Sequence, residues 1–131
     1  MTRLLLDTHV FLWLHTDPDR LGPAKAVMER ASTKLFLSAA SSWEIAIKWK
    51  LGKLPLPEAP ETYVPSRMRI AQVESLPITH THALGVASLP DHHRDPFDRM
   101  LVAQARTESL TLVTVDPLIQ PYDVRLMFLG A

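Results

Sequence analysis

No cysteine occurs in this chain of 131 residues, which excludes disulfides, thiolate nucleophiles and cysteine-ligated zinc and leaves any metal chemistry to oxygen and nitrogen donors. A reducing compartment is thereby allowed. No apolar run approaches the ~20 residues needed to span a bilayer, and the three leucines between Arg3 and Asp7 are too few for the apolar core of a signal peptide. The expectation is a cytoplasmic protein with no membrane partner. An excess of charge is missing too: 14 Lys and Arg balance 14 Asp and Glu, whereas a protein that grips nucleic-acid backbone normally carries a basic surplus. Basic groups do cluster locally, at Lys48, Lys50 and Lys53, at Arg67 and Arg69, and at His92, His93 and Arg94. Solvated helix faces explain such clusters as readily as an RNA path does. Internal repeats, low-complexity tracts and any domain boundary are also lacking, so residues 1–131 read as one domain.

What is present is a regular alternation of strand and helix signals in a chain that is 47% hydrophobic and 21% charged, the pattern of an α/β fold with a parallel sheet. Leu4 to Leu6 read as a strand buried on both faces, followed by a helix over Thr8 to His15. A loop at Asp17-Pro18-Asp19 leads to a helix from Pro23 to Arg30. Lys34 to Ser38 form a second strand, and Ser41 opens a helix that runs to Leu51 and stops at Gly52. Four prolines between Leu54 and Pro65 predict an extended connection, with helix resuming around Arg67 to Val73. Leu76, Pro77 and Ile78 read as a short strand, and Thr81 to Ala87 as a short helix ended by Leu89-Pro90. Asp95 caps a helix beginning at Pro96 and continuing toward Glu108. Thr111 to Val115 have the β-branched content of another buried strand, and Val124 to Leu129 that of an edge strand.

Four carboxylates stand out against this frame. Asp7 and Asp116 each follow a buried strand directly, Glu44 lies near the start of a helix that follows a strand, and Asp98 lies in the first turn of the helix capped by Asp95. Each has a structural explanation taken singly: Ser41 to Glu44 fits a capping box, Asp95 to Asp98 is helix-start chemistry, and Asp116-Pro117 is a common exit from a strand. Asp7 is the exception, since an acid after an apolar strand caps nothing unless a helix begins there. Together they point elsewhere, because ligands of open α/β sheets bind outside the carboxyl ends of the strands, and separate structural causes would rarely bring four acids to that edge. Oxygen donors of this kind suit Mg²⁺ or Mn²⁺. Zinc through histidine is disfavoured, because His80 and His82 lack the i,i+4 spacing of a helical site and His92 and His93 are adjacent. Trp13, Trp43 and Trp49 read as helix packing against the sheet or a second chain.

The stretches Leu-Leu-Leu-Asp7-Thr8-His9, Ser41-Ser42-Trp43-Glu44-Ile45, His93-Arg94-Asp95-Pro96-Phe97-Asp98-Arg99 with Ala103-Gln104-Ala105, and Thr114-Val115-Asp116 resemble PIN-domain ribonucleases, and more narrowly the toxins of VapBC-type toxin–antitoxin pairs. The likeness runs from Leu4 to beyond Asp116. It implies a three-layer α/β/α fold around a mostly parallel sheet of four or five strands, and Mg²⁺- or Mn²⁺-dependent hydrolysis of RNA. It also implies a homodimer and an inhibitory antitoxin partner. The acids matching the family pattern are Asp7, Glu44, Asp98 and Asp116, as metal-holding and catalytic groups, with Thr8, Asp95 and Thr114 as their neighbours. Two other readings are an inactive PIN-like module that binds RNA or protein, and a receiver-type signalling domain. The latter expects an adjacent acid pair after the first strand, where Leu6-Asp7-Thr8 offers one.

Overall fold

The computed structural model describes residues 1–130. Its centre is a five-stranded sheet in which every pairing is parallel, formed by β1 (Thr2–Leu6), β2 (Thr33–Ser38), β3 (Val73–Leu76), β4 (Thr111–Thr114) and β5 (Leu126–Phe128) in the order β3-β2-β1-β4-β5. The central strand β1 pairs Leu5 with Phe36 on one side and with Leu112 on the other. Because successive side chains of a strand face opposite ways, Leu4 and Leu6 enter one core and Leu5 the other, and all three are fully buried. This is why the opening leucine run is continuous rather than alternating.

Helices cover both faces, as the expected α/β/α sandwich requires. Over Leu4 and Leu6 lie α1 (Thr8–Thr16), α2 (Ala24–Met28) and α4 (Pro60–Ala71), through Val10, Phe11, Met28, Tyr63 and Val64. The Leu5 face takes α6 (Pro96–Glu108) through Leu101, Val102 and Ala105, with Ile119 and Tyr122 from the segment after β4. Two further helices, α3 (Ala39–Lys50) and α5 (His80–Gly85), follow β2 and β3. Gly52, at φ 72°, supplies the left-handed turn just beyond α3.

Four details differ from expectation. The helix carrying Glu44 starts at Ala39, capped by Ser38, whose Oγ accepts from the Ala40 amide at 3.0 Å. Ser41 is therefore inside the helix with no capping role, its buried Oγ without a partner, and Glu44 sits in the second turn. Asp7 does cap a helix, since α1 begins at Thr8 and Asp7 Oδ1 accepts from the Val10 amide at 2.8 Å. The proline-rich connection ends at Ala59: Pro60 takes the first position of α4, where its fixed φ suits a helix, and Pro65 is accommodated in the interior at an exposed position while Tyr63 and Val64 bury. The strand expected at Leu76 to Ile78 lies earlier, because Val73 and Leu76 are the residues that bury when β3 pairs with Leu35 to Ser38, and Pro77 ends the ladder.

Candidate metal centre

The chain passes from β1 to β2 and β3 on one side of the sheet and places β4 and β5 on the other, so the strand order reverses between β1 and β4. The carboxyl ends of these two strands flank the crevice in which open α/β sheets bind ligands. Asp7 follows β1 directly, and Asp116 lies two residues beyond β4. The helices return antiparallel to the strands they join, so α3 and α6 begin at the same edge. They bring Glu44 and Asp98.

Two of the four acids are held by donors on both oxygens. Asp7 accepts from the Val10 amide on Oδ1, and from Thr114 Oγ1 at 2.6 Å and the Val115 amide at 3.1 Å on Oδ2. Only 3% of Asp7 is exposed, and burial pushes its carboxyl above the ordinary value against those hydrogen bonds. Glu44, also buried, accepts from Thr8 Oγ1 on Oε1 and from Lys48 Nζ on Oε2, each at 2.6 Å. That hydrogen bond raises the Lys48 ammonium above its usual range, assisted by the charges of Glu44, Asp95 and Asp98 and opposed by burial. Thr114 also accepts from the Asp116 amide at 3.1 Å, so one hydroxyl ties the first acid to the last.

Asp98 and Asp116 have the opposite character. Asp98 is pushed up to about 8, first by burial, then by a hydrogen bond with Asp116 and by the negative charges of Asp95, Asp116 and Asp7. Two carboxylates ~4 Å apart at an effective dielectric of ~20 repel by about 4 kcal/mol, so such a pair demands a proton or a cation. Asp95 contributes charge but is engaged as the cap of α6, its Oδ1 accepting from the amides of Phe97 and Asp98. Asp116 Oδ1 likewise accepts from the Leu118 amide. This donor set is all oxygen, anionic and backed by fixed dipoles, and it fits a hard divalent ion.

The PIN domain family model matches residues 4–123. This chain is a PIN-domain protein. Over 121 residues, 88% of each chain, it is 31% identical to the ribonuclease VapC22 of Mycobacterium tuberculosis. It is 44% identical to ribonuclease VapC16 of the same organism over 64 residues, a match that spans 49% of this chain and 45% of that protein. Among solved structures, VapBC2 of Rickettsia felis bound to a promoter DNA fragment superposes with a TM-score of 0.70 at 12% identity, covering 97% of this chain and 98% of that one. FitAcB of Neisseria gonorrhoeae gives 0.66 at 18% identity, covering 96% and 97%. At those identities the superpositions speak for the fold, and the sheet of this PIN domain is the one its sequence led us to expect.

One residue at the edge of the PIN-domain crevice is absent from the expected set. Among the described residues, the acids and histidines whose ligand atoms all lie within 4.8 Å of one another are His93, Asp98 and Asp116. Asp7 and Glu44 stand outside that spacing. His93 Nε2 lies 3.5 Å from Asp98 Oδ2. Spacing rules passed it over because it comes from the segment before α6 and meets Asp98 through a bend, not on a helix face; its place directly before Arg94-Asp95 was the available signal. Several basic groups prove structural. Arg67 lies over the Tyr63 ring and bonds Glu58, and Lys48 is committed to Glu44. Trp43 is 61% exposed, with its ring edge-on to Phe97, so it is not core packing against the sheet.

Proposed function

We propose that this PIN domain, residues 1–131, is a divalent-metal-dependent endoribonuclease that hydrolyses RNA phosphodiester bonds as the toxin of a type II toxin–antitoxin pair. The observation that carries the reading is the closeness of Asp98 and Asp116 at the carboxyl edge of the sheet, where Asp7 is tied to Asp116 through Thr114, with Asp98 pushed up to about 8 first by burial and then by the acids around it. An acid raised by burial and by neighbouring carboxylates is one that a cation relieves. The names of the VapC relatives, ribonucleases both, agree in chemistry.

Asp98 and Asp116 would hold the Mg²⁺ or Mn²⁺ ion directly, and Asp7, pinned by Thr114 and Val115, would complete its charge. Glu44, oriented by Thr8 and Lys48, would complete the shell or align the attacking water. When bound, the ion lowers the pKa of that water and neutralises charge on the scissile phosphate. Trp43 and Ile47 are exposed at i and i+4 on α3 and Leu51 at its C-cap, and beside them α3 and α4 border a cleft of about 450 Å³ whose lining includes Trp49, Val64 and Pro65. Apolar surface of this extent supports protein partners, which we assign as a small antitoxin and a second copy of the chain. The setting is the cytoplasm. No helix among the described residues is long and apolar enough to cross a membrane.

The test is cleavage of a mixed cellular RNA pool by purified protein, with Mg²⁺, with Mn²⁺ and with chelator. Metal-dependent cuts that disappear in Asp116→Asn are expected. Intact RNA with folded, metal-loaded wild type would return the chain to the reading of a binding module without catalysis.

A further inference from the structure

The His93 side chain is only 5% exposed, and its Nε2 has no hydrogen-bond partner although it faces two carboxylates. Its separation from Asp98 Oδ2, 3.5 Å, is too long for a hydrogen bond. Ligands ~2.1 Å from one octahedral ion lie ~3 to ~4.2 Å apart; the His93–Asp98 separation falls within that range, and the ligand atoms of His93, Asp98 and Asp116 all lie within 4.8 Å of one another. The opposite ring nitrogen is well satisfied: Nδ1 lies 2.8 Å from Tyr122 Oη, and the two rings meet edge to face at 5.4 Å. Arg99 Nη1 donates to the same Oη at 3.0 Å and to the Pro90 carbonyl at 2.8 Å, so the guanidinium fastens both the tyrosine and the segment that carries His93. Oη both donates and accepts, so it serves either tautomer of the ring; with Nδ1 as the donor to Oη, the Nε2 lone pair faces the acids and is available to a cation.

We propose that His93 is a direct nitrogen ligand of the divalent ion, with Tyr122 and Arg99 positioning its ring, and that the resulting mixed nitrogen–oxygen set selects Mn²⁺ over Mg²⁺. Ligating histidines donate their second ring N–H to an acceptor that sets tautomer and orientation, the part Tyr122 Oη would play here with the ion bound. Imidazole is a poor partner for Mg²⁺, which prefers oxygen and retains its waters, whereas later divalent ions of the first transition row accept nitrogen progressively better. This inference rests on the metal centre of the proposed function but adds a residue and an ion preference to it.

Pulsed electron paramagnetic resonance on Mn²⁺ bound to the wild-type protein reads the ligand directly. A nitrogen modulation is expected, changing to the ¹⁵N pattern when histidine is ¹⁵N-labelled and vanishing in His93→Gln. His93→Asn serves the same purpose if circular dichroism shows the glutamine variant unfolded. Titration should show Mn²⁺ affinity falling about tenfold or more in the variant, with Mg²⁺ affinity changed by no more than about twofold. Bound Mn²⁺ without nitrogen coupling in the wild type, or coupling that persists in the variant, overturns the assignment, as does an equal loss of both ions. Nitrogen coupling without RNA cleavage would instead remove the ribonuclease reading and leave His93 a ligand. Cleavage without nitrogen coupling does the reverse.

Discussion

Acids at one sheet edge are not equivalent once their partners are counted. Asp7 and Glu44 are locked by hydroxyl, amide and ammonium donors, while Asp98 is raised to about 8 by burial, by its hydrogen bond with Asp116 and by the negative charges around it. Replacing Asp98 by Asn keeps the volume, removes the repulsion and, at the proposed metal site, would remove a ligand. We therefore expect Asp98→Asn to abolish RNA cleavage while melting at a higher temperature than wild type in chelator; a melting point lower than wild type under those conditions would contradict the account of the pair. Thr114 is the residue on which the two sets depend, because its hydroxyl donates to Asp7 and accepts from the Asp116 amide inside a fully buried site. Thr114→Val conserves shape and strands both groups. Urea unfolding should show a loss of roughly 1–3 kcal/mol, the cost of buried polar groups left short of a partner. Unchanged stability would mean that water replaces the hydroxyl.

Elements deliver these residues, and their starts matter more than their lengths. Asp95 caps α6 and thereby sets the turn that presents Asp98. Asp95→Asn should keep the cap and most of the cleavage, whereas Asp95→Ala should cost about 1 kcal/mol in thermal unfolding; loss of activity in the asparagine variant would make Asp95 a metal-holding group instead. Helix α4 offers a contrary case. Pro65 lacks the amide that would bond the Glu61 carbonyl, and it is exposed, so Pro65→Ala should stabilise the fold by about 2 kcal/mol once the greater freedom of the unfolded chain is subtracted. The same helix shows where sequence reading stops. Local signals sufficed for β1, β2, β4 and α6, whose leucine runs, β-branched residues and Asp-Pro cap each declare themselves within a few positions. They failed for α4, where four prolines outweighed a short burying stretch at Tyr63 and Val64, and for β3, whose register is decided by pairing with β2. The placement of Asp7, Glu44, Asp98 and Asp116 at one edge follows from topology and was therefore legible. That His93 bends back onto Asp98 depends on tertiary contacts and was not, whereas the Ser38 cap of α3 is a contact two residues along the chain that the competing Ser41–Glu44 pattern masked.

Across the whole molecule, the acidic edge makes folding answer to pH and to metal together. The sign follows from Asp7 and Asp98, both raised in the fold above the ordinary carboxylate value of 3.8. A folded state that holds protons more tightly than the unfolded chain is favoured at low pH and loses that advantage as pH rises. For Asp98 the loss begins near the unfolded carboxylate value and continues until about pH 8, where the folded group itself ionises. A divalent ion bound at the proposed site would take the proton's place. Binding only to the folded state, it adds about 2.7 kcal/mol at a hundredfold excess over Kd, or roughly 8–10 °C in melting temperature for a chain of this size. Metal affinity also rises with pH as the competing protons leave. In chelator, the melting temperature of wild type should therefore fall between pH 5 and pH 8, and Asp98→Asn should flatten the part of the slope that belongs to Asp98. With saturating Mn²⁺ the wild-type curve should be flat or inverted over the same range. A wild-type curve in chelator that rises toward pH 8 would mean that the acids gain more from their hydrogen bonds than they lose to burial and to one another, and the crevice would then have no need of a cation.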